Sequence, residues 1–358
     1  FVISLRSFEG GFEHSPFAGC VSPAYTVLRP KAIVDSGYFR HLFKSAIFRQ
    51  MLAAFNVGVR DGKSIRYDDF SEFSLALPSL DEQRRIAAFL DRETARIDAL
   101  IEKKTRFIEL LREKQQADIN AAVTRGLALN VPMLDTGDPW LGKIPAHWTS
   151  RPISLLSRKI TNGFVGPTRD VLVDDGVRYL QSLHIKGFGI RFETPYFVTE
   201  QWSQAHAKSI LKVGDVLIVQ TGDLGQVAVV TPEFAGCNCH ALIIVSPIEE
   251  LVTGKWLGRV LHSRYGYNSL LSVQTGALHP HLNCGEIRNI AIPLPPLLEQ
   301  DQIERVLQAK ISKTDTLVQA TERSIRLLRE RRAALITAAV TGQIDVLAEA
   351  PIEETEPA

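Results

Sequence analysis

A group of cysteine and histidine residues in the second half of the chain is the first candidate for chemistry. It consists of Cys237, Cys239, His240, His279, His281 and Cys284. Thiolate and imidazole groups are the usual ligands of zinc, so the set suggests a structural metal site. The spacing argues against it, because the single residue between Cys237 and Cys239 is shorter than the gap in a zinc knuckle. We therefore expect buried cysteines and a polar loop here, with no bound metal.

Acid–base and nucleophilic motifs give no catalytic constellation in this sequence. The adjacent carboxylates of Asp174 and Asp175 are typical of a solvated turn. The run Gly222-Asp223-Leu224-Gly225 follows a β-branched segment but matches neither of the common glycine-rich phosphate loops. The sequence also lacks the nucleophile elbow G-x-S-x-G and the zinc motif H-E-x-x-H. We therefore predict that this chain is not itself an enzyme.

Polar and basic residues in predicted turns form a second kind of candidate, for contact with nucleic acid. In the major groove, arginine pairs with guanine, and glutamine or asparagine pairs with adenine, through two hydrogen bonds each. The candidates in the second half are Arg158, Lys159, Asn162, Arg169, Gln220, Thr221, Gln226, Gln274, Thr275, His279 and His281. Those in the first half are Arg6, Arg60, Lys63 and Arg66. The alternative for each of them is an ordinary solvated loop residue.

The elements that must position these residues repeat along the chain. Residues 77–124 align without a gap to residues 294–341, at an offset of 217, and both copies contain the strings LLRE and AAVT. The same offset places one FAGC string, at 17–20, on a second one at 234–237. The chain is therefore a tandem duplication with a period far longer than that of a solenoid repeat.

Each copy ends in a long predicted helix. Ser79 and Glu82 form a capping box at the start of the first helix, and a glycine follows the end of each helix. Apolar residues recur every eleven positions, which keeps them on one helix face. We expect the two faces to pair antiparallel, because a two-fold arrangement of near-identical copies requires opposite directions. The alternative is that each helix packs only on its own globular segment.

We predict one set of residues on these helices for contact within the coiled coil or with partner proteins. Its residues are Ile86, Phe89, Ile97, Leu100, Ile108, Leu111, Ile303, Val306, Leu317, Ile325 and Leu328.

The segments that precede the helices have mixed α/β character. Runs rich in β-branched residues at 213–220, 226–233 and 240–247 are typical of strands separated by turns. A helix is predicted at 255–271, and its duplicate lies at 37–55. The fold class is therefore α+β. Two mixed α/β domains are joined by two long helices that form an antiparallel coiled coil, and the whole is duplicated about a pseudo-two-fold axis.

The predicted domain layout follows from the repeat. A partial first α/β domain covers 1–76, the first long helix 77–127, the second α/β domain 128–293 and the second long helix 294–344. The acidic tail at 345–358 has no basic residue, and we expect it to be disordered.

Length and composition bound the class of protein. The chain has 358 residues, of which 45% are hydrophobic and 23% charged, which predicts two or three globular domains. A formal net charge of +1 is low for a freestanding nucleic-acid binder, so composition alone does not indicate one. Four cysteines are too few for a disulfide scaffold, and no apolar run reaches the ~18 residues of a membrane span. We expect a cytoplasmic protein.

Several strings in the chain are characteristic of one family. These are LALPSLDEQRRIAAFL, IPLPPLLEQDQIERVL, WLGKIPAHW and ALITAAVTGQIDV. With them the chain resembles the specificity (S) subunit of type I restriction-modification systems. The run VGDVLIVQTGDLGQ also looks like the strand-turn-strand of that family's target-recognition domains. The resemblance covers nearly the whole chain, and the paired LP-x-L-x-EQ helices are specific to the family.

The resemblance implies a function in DNA recognition. Each α/β segment would be a target-recognition domain that reads one half of a bipartite sequence in double-stranded DNA. The two helices would hold these domains apart and dock two modification subunits, which methylate adenine. Restriction subunits, which are motor nucleases, would join them. S-adenosylmethionine, ATP and Mg²⁺ would then be bound by those partners and not by this chain, which agrees with its lack of catalytic motifs.

The start of the chain departs from the family pattern. The first copy has no counterpart of WLGKIPAHW, and residues 128–217 have no duplicate, because that duplicate would precede Phe1. A complete first domain would contain such a segment. We therefore expect the chain to be N-terminally incomplete and its first domain to be partial.

Two other functions fit parts of the sequence. A coiled-coil scaffold whose α/β domains bind protein or carbohydrate would have the same helices and domains. A hydrolase would use the cysteine and histidine group. Salt-dependent, sequence-selective retention on DNA distinguishes a DNA reader from a scaffold, and a metal assay tests the hydrolase.

The Ile97→Asp variant tests the predicted pairing of the helices. It would bury an unpaired carboxylate in the helix interface, and we expect it to lower the free energy of unfolding by about 3–5 kcal/mol. Assembly with the modification subunits should weaken as well. Denaturant unfolding and the yield of assembled complex measure the two effects. A variant that assembles and methylates like the wild type would contradict the pairing.

Overall fold

The chain folds into two compact units that each contain one α/β segment and parts of both long helices. The computed structural model describes residues 1–4, 12–54, 67–276 and 280–346. Unit 1 comprises Phe1–Glu109 and Val318–Ala358, and unit 2 comprises Leu110–Leu317. No helix in these described ranges is long and apolar enough to cross a membrane.

Unit 1 combines a small antiparallel sheet with short helices. Its strands are β1 (Val2–Ser4), β2 (Phe12–Glu13) and β3 (Tyr25–Val27), in the order β2-β1-β3. Its helices are α1 (Ser36–Lys44), α2 (Ala46–Ala54), α3 (Tyr67–Ser71) and the first part of α4 (Leu80–Arg125). The rings of Phe12, Phe43 and Phe48 meet with centroids 5.0–5.3 Å apart, so an aromatic cluster closes the core between sheet and helices.

Unit 2 is a larger body with two four-stranded sheets. Its first nine strands are β4 (Met133–Asp135), β5 (Lys143–Pro145), β6 (Thr149–Pro152), β7 (Ser157–Asn162), β8 (Leu172–Val173), β9 (Val177–Leu180), β10 (Ile185–Lys186), β11 (Gly189–Ile190) and β12 (Phe197–Val198). The remaining strands are β13 (Val216–Val219), β14 (Val227–Val229), β15 (Asn238–Cys239), β16 (Leu242–Pro247) and β17 (Ala291–Leu294). Its helices are α5 (Ile153–Leu156), α6 (Glu200–Ala205), α7 (Gly254–His262), α8 (Arg264–Ser272), α9 (Cys284–Ile287) and the first part of α10 (Leu297–Val340). These bounds confirm the mixed α/β class.

The central sheet of unit 2 brings several strand ends together. Its order is β14-β13-β16-β7, and β16 pairs antiparallel with both β13 and β7. Strands β13 and β7 are therefore parallel to each other, and both end at the same edge of the sheet. We call this edge the loop end. There β7 ends at Asn162, β13 ends at Val219 and β16 begins at Leu242.

Both faces of the central sheet are covered, which explains the unbroken apolar run of β13. Val216 and Ile218 belong to the core that contains the α7 residues Trp256 and Leu257. Leu217 and Val219 belong to a second core with residues of β9 and β10. Successive side chains of a strand point to opposite faces, so four consecutive apolar residues are buried here.

The helix predicted at 255–271 is two helices, α7 and α8, that meet at Ser263. The Ser263 hydroxyl donates to a backbone carbonyl of α7 and accepts from the Gly266 amide of α8, so the residue caps both helices while its own backbone is extended. Ser45 makes the same two kinds of bond between α1 and α2, within the predicted helix 37–55. Periodicity did not reveal this break, because serine competes for backbone hydrogen bonds without interrupting an apolar stripe.

The two long helices run antiparallel, as the duplication predicted. In unit 1 the guanidinium of Arg332 on α10 donates to both carboxylate oxygens of Asp98 on α4, at 2.9 and 3.1 Å. In unit 2 the Gln115 amide of α4 donates to Asp315 of α10 at 3.3 Å. A later residue of α4 thus pairs with an earlier residue of α10, which means that the two helices run in opposite directions.

Each α/β core includes residues from both long helices. In unit 1, Leu90 of α4 and Val340 of α10 are buried in one core. In unit 2, Leu307 of α10 and Val123 of α4 occupy the matching positions, each shifted by 217. The alternative in which each helix packs only on its own segment is therefore wrong.

The predicted helix interface divides by exposure. Eight of its residues are buried or half-buried, namely Ile86, Phe89, Ile97, Ile108, Leu111, Ile303, Ile325 and Leu328. Three are exposed, namely Leu100 at 41%, Val306 at 38% and Leu317 at 41%. The following residue takes the inward position in each case, and these residues are Ile101, Leu307 and Val318.

The exposed positions have a geometric cause. At its start, α4 is enclosed by the globular part of unit 1 and buries a wide arc that includes Ile86, Ala87, Phe89 and Leu90. Farther along, the buried arc narrows, and the inward positions alternate between steps of three and four residues. Phe89 is buried because the arc is wide at its position. Leu100, eleven residues later in the same column, lies where the arc is narrower and is therefore exposed.

The ends of the long helices have the predicted caps. Ser79 and Glu82 exchange hydrogen bonds of 3.2 and 3.3 Å, which is the capping box. Gly126 and Gly342 follow the two helices with φ of 72° and 71°, a left-handed conformation that favours glycine.

A buried glutamine at the start of each long helix fixes the preceding loop. The Gln83 amide donates to the carbonyls of Ile33 and Pro78, at 3.1 and 2.9 Å, and accepts from the Asp35 amide at 2.7 Å. Gln300 makes the matching three bonds in unit 2, to the Leu251 and Pro295 carbonyls and the Thr253 amide. Asp35 and Thr253 are in turn the N-caps of α1 and α7.

The Gln300→Leu and Gln83→Leu variants should each destabilise the unit that contains the glutamine. Leucine fills the space but leaves three backbone groups without a partner, so we expect a loss of about 3 kcal/mol or more. Urea unfolding monitored by circular dichroism measures it. Gln116→Leu, at an exposed position of α4, is the matched control and should change stability by less than about 0.5 kcal/mol. Equal stability of the buried and exposed variants would contradict this role.

Candidate nucleic-acid interface

Four loops meet at the loop end of unit 2. They are the segments 162–171 from the last residue of β7, 220–226 between β13 and β14, 239–241 from the last residue of β15 to β16, and 273–283 after α8, of which 273–276 and 280–283 are described. Loops carried by a rigid sheet are the usual location of binding residues, because the sheet fixes their positions while their side chains remain free.

The 220–226 loop is a tight turn that depends on glycine. Gly225 has φ of 77°, and a Cβ atom there would lie 3.1 Å from the ring of Tyr267, so a side chain would be both strained and crowded. The Val219 amide donates to the Gln226 carbonyl at 2.9 Å. This bond places Gln226 opposite Val219, the residue before Gln220.

The 273–283 loop is joined to the end of β13. Thr275 and His281 exchange two backbone hydrogen bonds of 2.9 and 2.8 Å, and the Leu282 amide donates to the Gln220 carbonyl at 2.9 Å. A surface cleft of about 400 Å³ lies between this loop and the 220–226 turn. Its lining residues are Thr221, Gly222, Leu224, Pro280 and His281.

The 162–171 loop starts as a rigid arch, which we define as residues 163–167. The Phe164 amide donates to the Cys239 carbonyl, and the Ala241 amide donates to the Phe164 carbonyl, both at 2.9 Å. Gly163 lies so close to the neighbouring strand that a Cβ atom would be 2.5 Å from the Cys239 carbonyl oxygen. The arch is therefore fixed to the strand beside it.

An aromatic cluster supports the arch from inside. The Phe164 ring meets the rings of Trp202 and His206 edge-on, with centroids 5.0 Å apart in both cases. Trp202 and His206 stack with centroids 3.9 Å apart, and Tyr179 packs edge-on against Trp202. The sequence indicated this cluster only through an aromatic residue placed between glycines, and our sequence analysis missed it.

The loop end carries little charge. His240 lies 3.3 Å from the Tyr179 hydroxyl, and burial lowers the pKa of its imidazole, so the neutral form is favoured near pH 7. Burial likewise raises the pKa of Tyr179. Among the described residues of the four loops, the ionised side chains are Arg169, Asp170 and Asp223. Amides and hydroxyls therefore dominate the surface.

Eight of the residues proposed from the sequence for DNA contact lie on these four loops. They are Asn162, Arg169, Gln220, Thr221, Gln226, Gln274, Thr275 and His281. Among them, the side-chain amide oxygen Oδ1 of Asn162 accepts a hydrogen bond from the Cys284 thiol at 3.1 Å. The Gln220 side-chain oxygen is buried with no hydrogen-bond partner among the described residues.

The other proposed residues lie elsewhere. Arg158, at the opposite end of β7, pairs with the Glu250 carboxylate at 2.6 and 2.7 Å. The Lys159 ammonium donates to the Lys208 carbonyl at 3.1 Å. Five proposed residues fall outside the described part of the chain, namely Arg6, Arg60, Lys63, Arg66 and His279.

Two of the three cysteines in the candidate metal group, Cys237 and Cys239, are buried, and Cys284 is half-buried. Burial raises the pKa of Cys237 to about 11 and also raises that of Cys239, so both thiols favour the protonated form. Within the ranges that the structure covers, no three side chains of histidine, cysteine, aspartate or glutamate are grouped so that they could hold a metal ion.

Comparison with known proteins identifies the family that the chain resembles. Residues 187–326 match the family model of the type I restriction modification DNA specificity domain, and this span includes three of the four loops. The chain is 21% identical over 277 residues to the type I restriction enzyme EcoBI specificity subunit of Escherichia coli. It is 21% identical over 356 residues to the EcoKI specificity subunit of Escherichia coli strain K12. These findings confirm the resemblance to type I specificity subunits that the sequence indicated.

The matches differ in how much of each protein they cover. The EcoBI match includes 75% of this chain and 58% of the relative, so the chain spans less than two thirds of that protein. The EcoKI match includes 94% of this chain and 71% of the relative.

Solved structures share the fold at low sequence identity. One is from work on complex assembly and conformational transition of the type I R-M system, with a TM-score of 0.72, 19% identity, and coverage of 90% of this chain and 75% of that one. Another is the crystal structure of the HsdS subunit from Thermoanaerobacter tengcongensis, with a TM-score of 0.51, 19% identity and coverage of 87% of this chain and 71% of that one. The fold class predicted from the sequence is thus confirmed.

The Gly163→Ala variant tests the fit of the arch against its neighbouring strand. The added methyl group would overlap the Cys239 backbone, so we expect the free energy of unfolding to fall by about 1–3 kcal/mol. Gly189→Ala is the control, because its nearest neighbour would be the Lys186 carbonyl oxygen at an ordinary 3.7 Å. Urea unfolding of both variants measures the difference. Equal stability would show that the arch is looser than its contacts indicate.

Proposed function

We propose that this chain is the DNA sequence-recognition subunit of a type I restriction-modification complex. In this proposal the loop end of unit 2 reads one half of a bipartite target in double-stranded DNA. One observation carries it: the span that matches the specificity-domain family holds three of the four loops on which polar side chains converge at one edge of a rigid sheet.

The chemistry of the loop end suits readout of base edges. The amides of Gln226 and Gln274 can each form two hydrogen bonds with adenine in the major groove. Arg169, which is exposed, can form two with guanine. Bases are distinguished by such contacts, whereas contacts to phosphate add affinity without distinguishing sequences.

The low net charge is compatible with this function if partner subunits also hold the duplex. Affinity for DNA comes largely from neutralised phosphates, and a chain with a formal net charge of +1 supplies few of them. We assign a phosphate contact to Lys159. Arg158 is already paired with Glu250, which reduces its attraction for phosphate.

The long helices are the proposed docking site for two modification subunits. Several large apolar side chains on them are exposed, a pattern typical of interaction surfaces. On α4 these are Leu100, Phe107 and Leu110, and on α10 they are Val306, Leu317 and Leu327. Restriction subunits would join the same complex.

Catalysis and cofactors are assigned to the partners. In this proposal the modification subunits bind S-adenosylmethionine and methylate adenine, and the restriction subunits use ATP and Mg²⁺. The chain itself contributes binding and no catalytic group, and the complex acts on DNA in the cytoplasm. Unit 1 would contribute to reading the other half of the target, and Arg6, Arg60, Lys63 and Arg66 remain its proposed contacts.

Methylome sequencing tests the function directly. The complete gene and its neighbouring methyltransferase gene are expressed in a host, and methylated adenines are mapped. We expect one bipartite motif, and exchange of residues 150–290 for those of a relative should change one half of it. Unmethylated DNA, or a motif that survives the exchange, would refute the assignment. A scaffold that binds protein or carbohydrate would also show no salt-dependent, sequence-selective retention on DNA.

The Gln274→Ala variant tests base readout at the loop end. Loss of a two-bond contact should reduce discrimination at one base pair by about 1–3 kcal/mol and leave the other positions unchanged. Gln226→Ala should do the same at a different pair. Competition binding with single-substituted duplexes measures both, and Gln308→Ala on an exposed part of α10 is the control.

A phosphate contact should behave differently in the same assay. Lys159→Ala should weaken binding evenly across all sequences and reduce the slope of affinity against salt by about one. Uniform weakening by Gln274→Ala would mean that this residue does not read a base.

A further inference from the structure

The arch of unit 2 exposes one large apolar side chain. Val165 is 64% exposed, and among the described residues of the loop end it is the only large hydrophobic side chain that is exposed to this degree. A single exposed valine on a protein surface is ordinary. The location of this one is unusual, because its loop also carries Asn162 and Arg169, which are proposed to read DNA.

The position of Val165 is determined by its neighbours on both sides. The residue before it, Phe164, is held by backbone bonds to Cys239 and Ala241 and by the edge-on contacts with Trp202 and His206. The residue after it, Gly166, packs against the Phe164 ring so closely that a Cβ atom there would lie 2.8 Å from it. Little conformational entropy therefore remains to be lost when Val165 contacts a ligand.

The arch also lies beside the amide groups of the loop end. It follows directly on Asn162, whose strand ends at the same edge of the sheet as the strand that leads to Gln220. A ligand that reaches these amides with its hydrogen-bonding groups would present its remaining surface to the arch. An apolar side chain at such a position selects for an apolar group on an otherwise polar ligand.

In the major groove of DNA, the apolar group among the polar base edges is the C5-methyl group of thymine. We propose that Val165 is a specificity-determining residue that contacts the methyl group of one thymine in the half-site read by unit 2. This inference rests on the proposed function. Insertion of Val165 between base pairs in the minor groove is less favoured, because the wedges that do so are generally longer or ring-shaped side chains and the adjacent amides suit the major groove.

Replacement of thymine by uracil tests the contact, because uracil lacks only the methyl group. The measurement uses the complex and target from the methylation map, with each thymine of the half-site replaced in turn. For the wild type we expect affinity to fall by about three- to fourfold at one position, which corresponds to one buried methyl group. With Val165→Ala, the thymine and uracil duplexes should bind equally at that position, while responses at other positions persist.

Two further variants define the controls. Val213→Ala removes the same atoms from a valine that is 52% exposed just before β13, away from the loop end, and it should keep the wild-type response to uracil. Val165→Thr retains one methyl group and should give an intermediate response. Thermal unfolding of each variant should match the wild type, because these side chains are exposed.

The outcomes separate this inference from the proposed function. If the complex selects no DNA sequence, the proposed function fails, and the inference falls with it. If it selects a sequence but no uracil replacement affects the wild type, or if Val165→Ala keeps the full response, only the inference is overturned. A half-site composed solely of G·C pairs would overturn it as well.

Discussion

The structure depends on one packing constraint, namely that neither α/β segment buries its core without both long helices. In unit 1 the core includes Ile86 near the start of α4 and Ile336 near the end of α10. Unit 2 uses the equivalent residues, Ile303 of α10 and Ile119 of α4. Because each core requires the beginning of one helix and the end of the other, the helices must run antiparallel. Tandem duplication satisfies this requirement with a single kind of interface.

This arrangement separates the parts of unit 2 that provide stability from the parts available for binding. The strand Val216–Val219 is buried on both faces, and Gln300 fixes the junction between the sheet body and α10. Of the loops at the opposite end, Leu224 and Leu282 pack on the core, and other loop positions are occupied by amides and hydroxyls. The arch differs from the other loops in carrying an exposed apolar residue, Val165, next to Phe164, whose ring packs on Trp202. A sheet of this kind can carry different loop residues without loss of its core.

Much of this architecture could be predicted from local patterns. The capping box of Ser79 and Glu82, the glycines after both helices and the antiparallel direction of the helices all appear in the structure. Other features could not be predicted in this way. The break at Ser263 depends on a side chain that competes for backbone bonds, and the exposure of Leu100 depends on how far the globular part of unit 1 encloses α4. Neither effect alters the apolar periodicity from which the helices were inferred.

The sequence by itself determined the duplication, the two long helices, three of the four strands of the central sheet and the family resemblance, because each of these is expressed in residues close together in the chain or in the repeat itself. Only the tertiary structure decided which turn residues share a surface. Asn162 and Gln220 lie at one edge because β7 and β13 both pair with β16, whereas Arg158 on the same strand lies at the other end. Strand register and the packing of Phe164 on Trp202 are set by contacts between distant segments, and local periodicity carries no information about them.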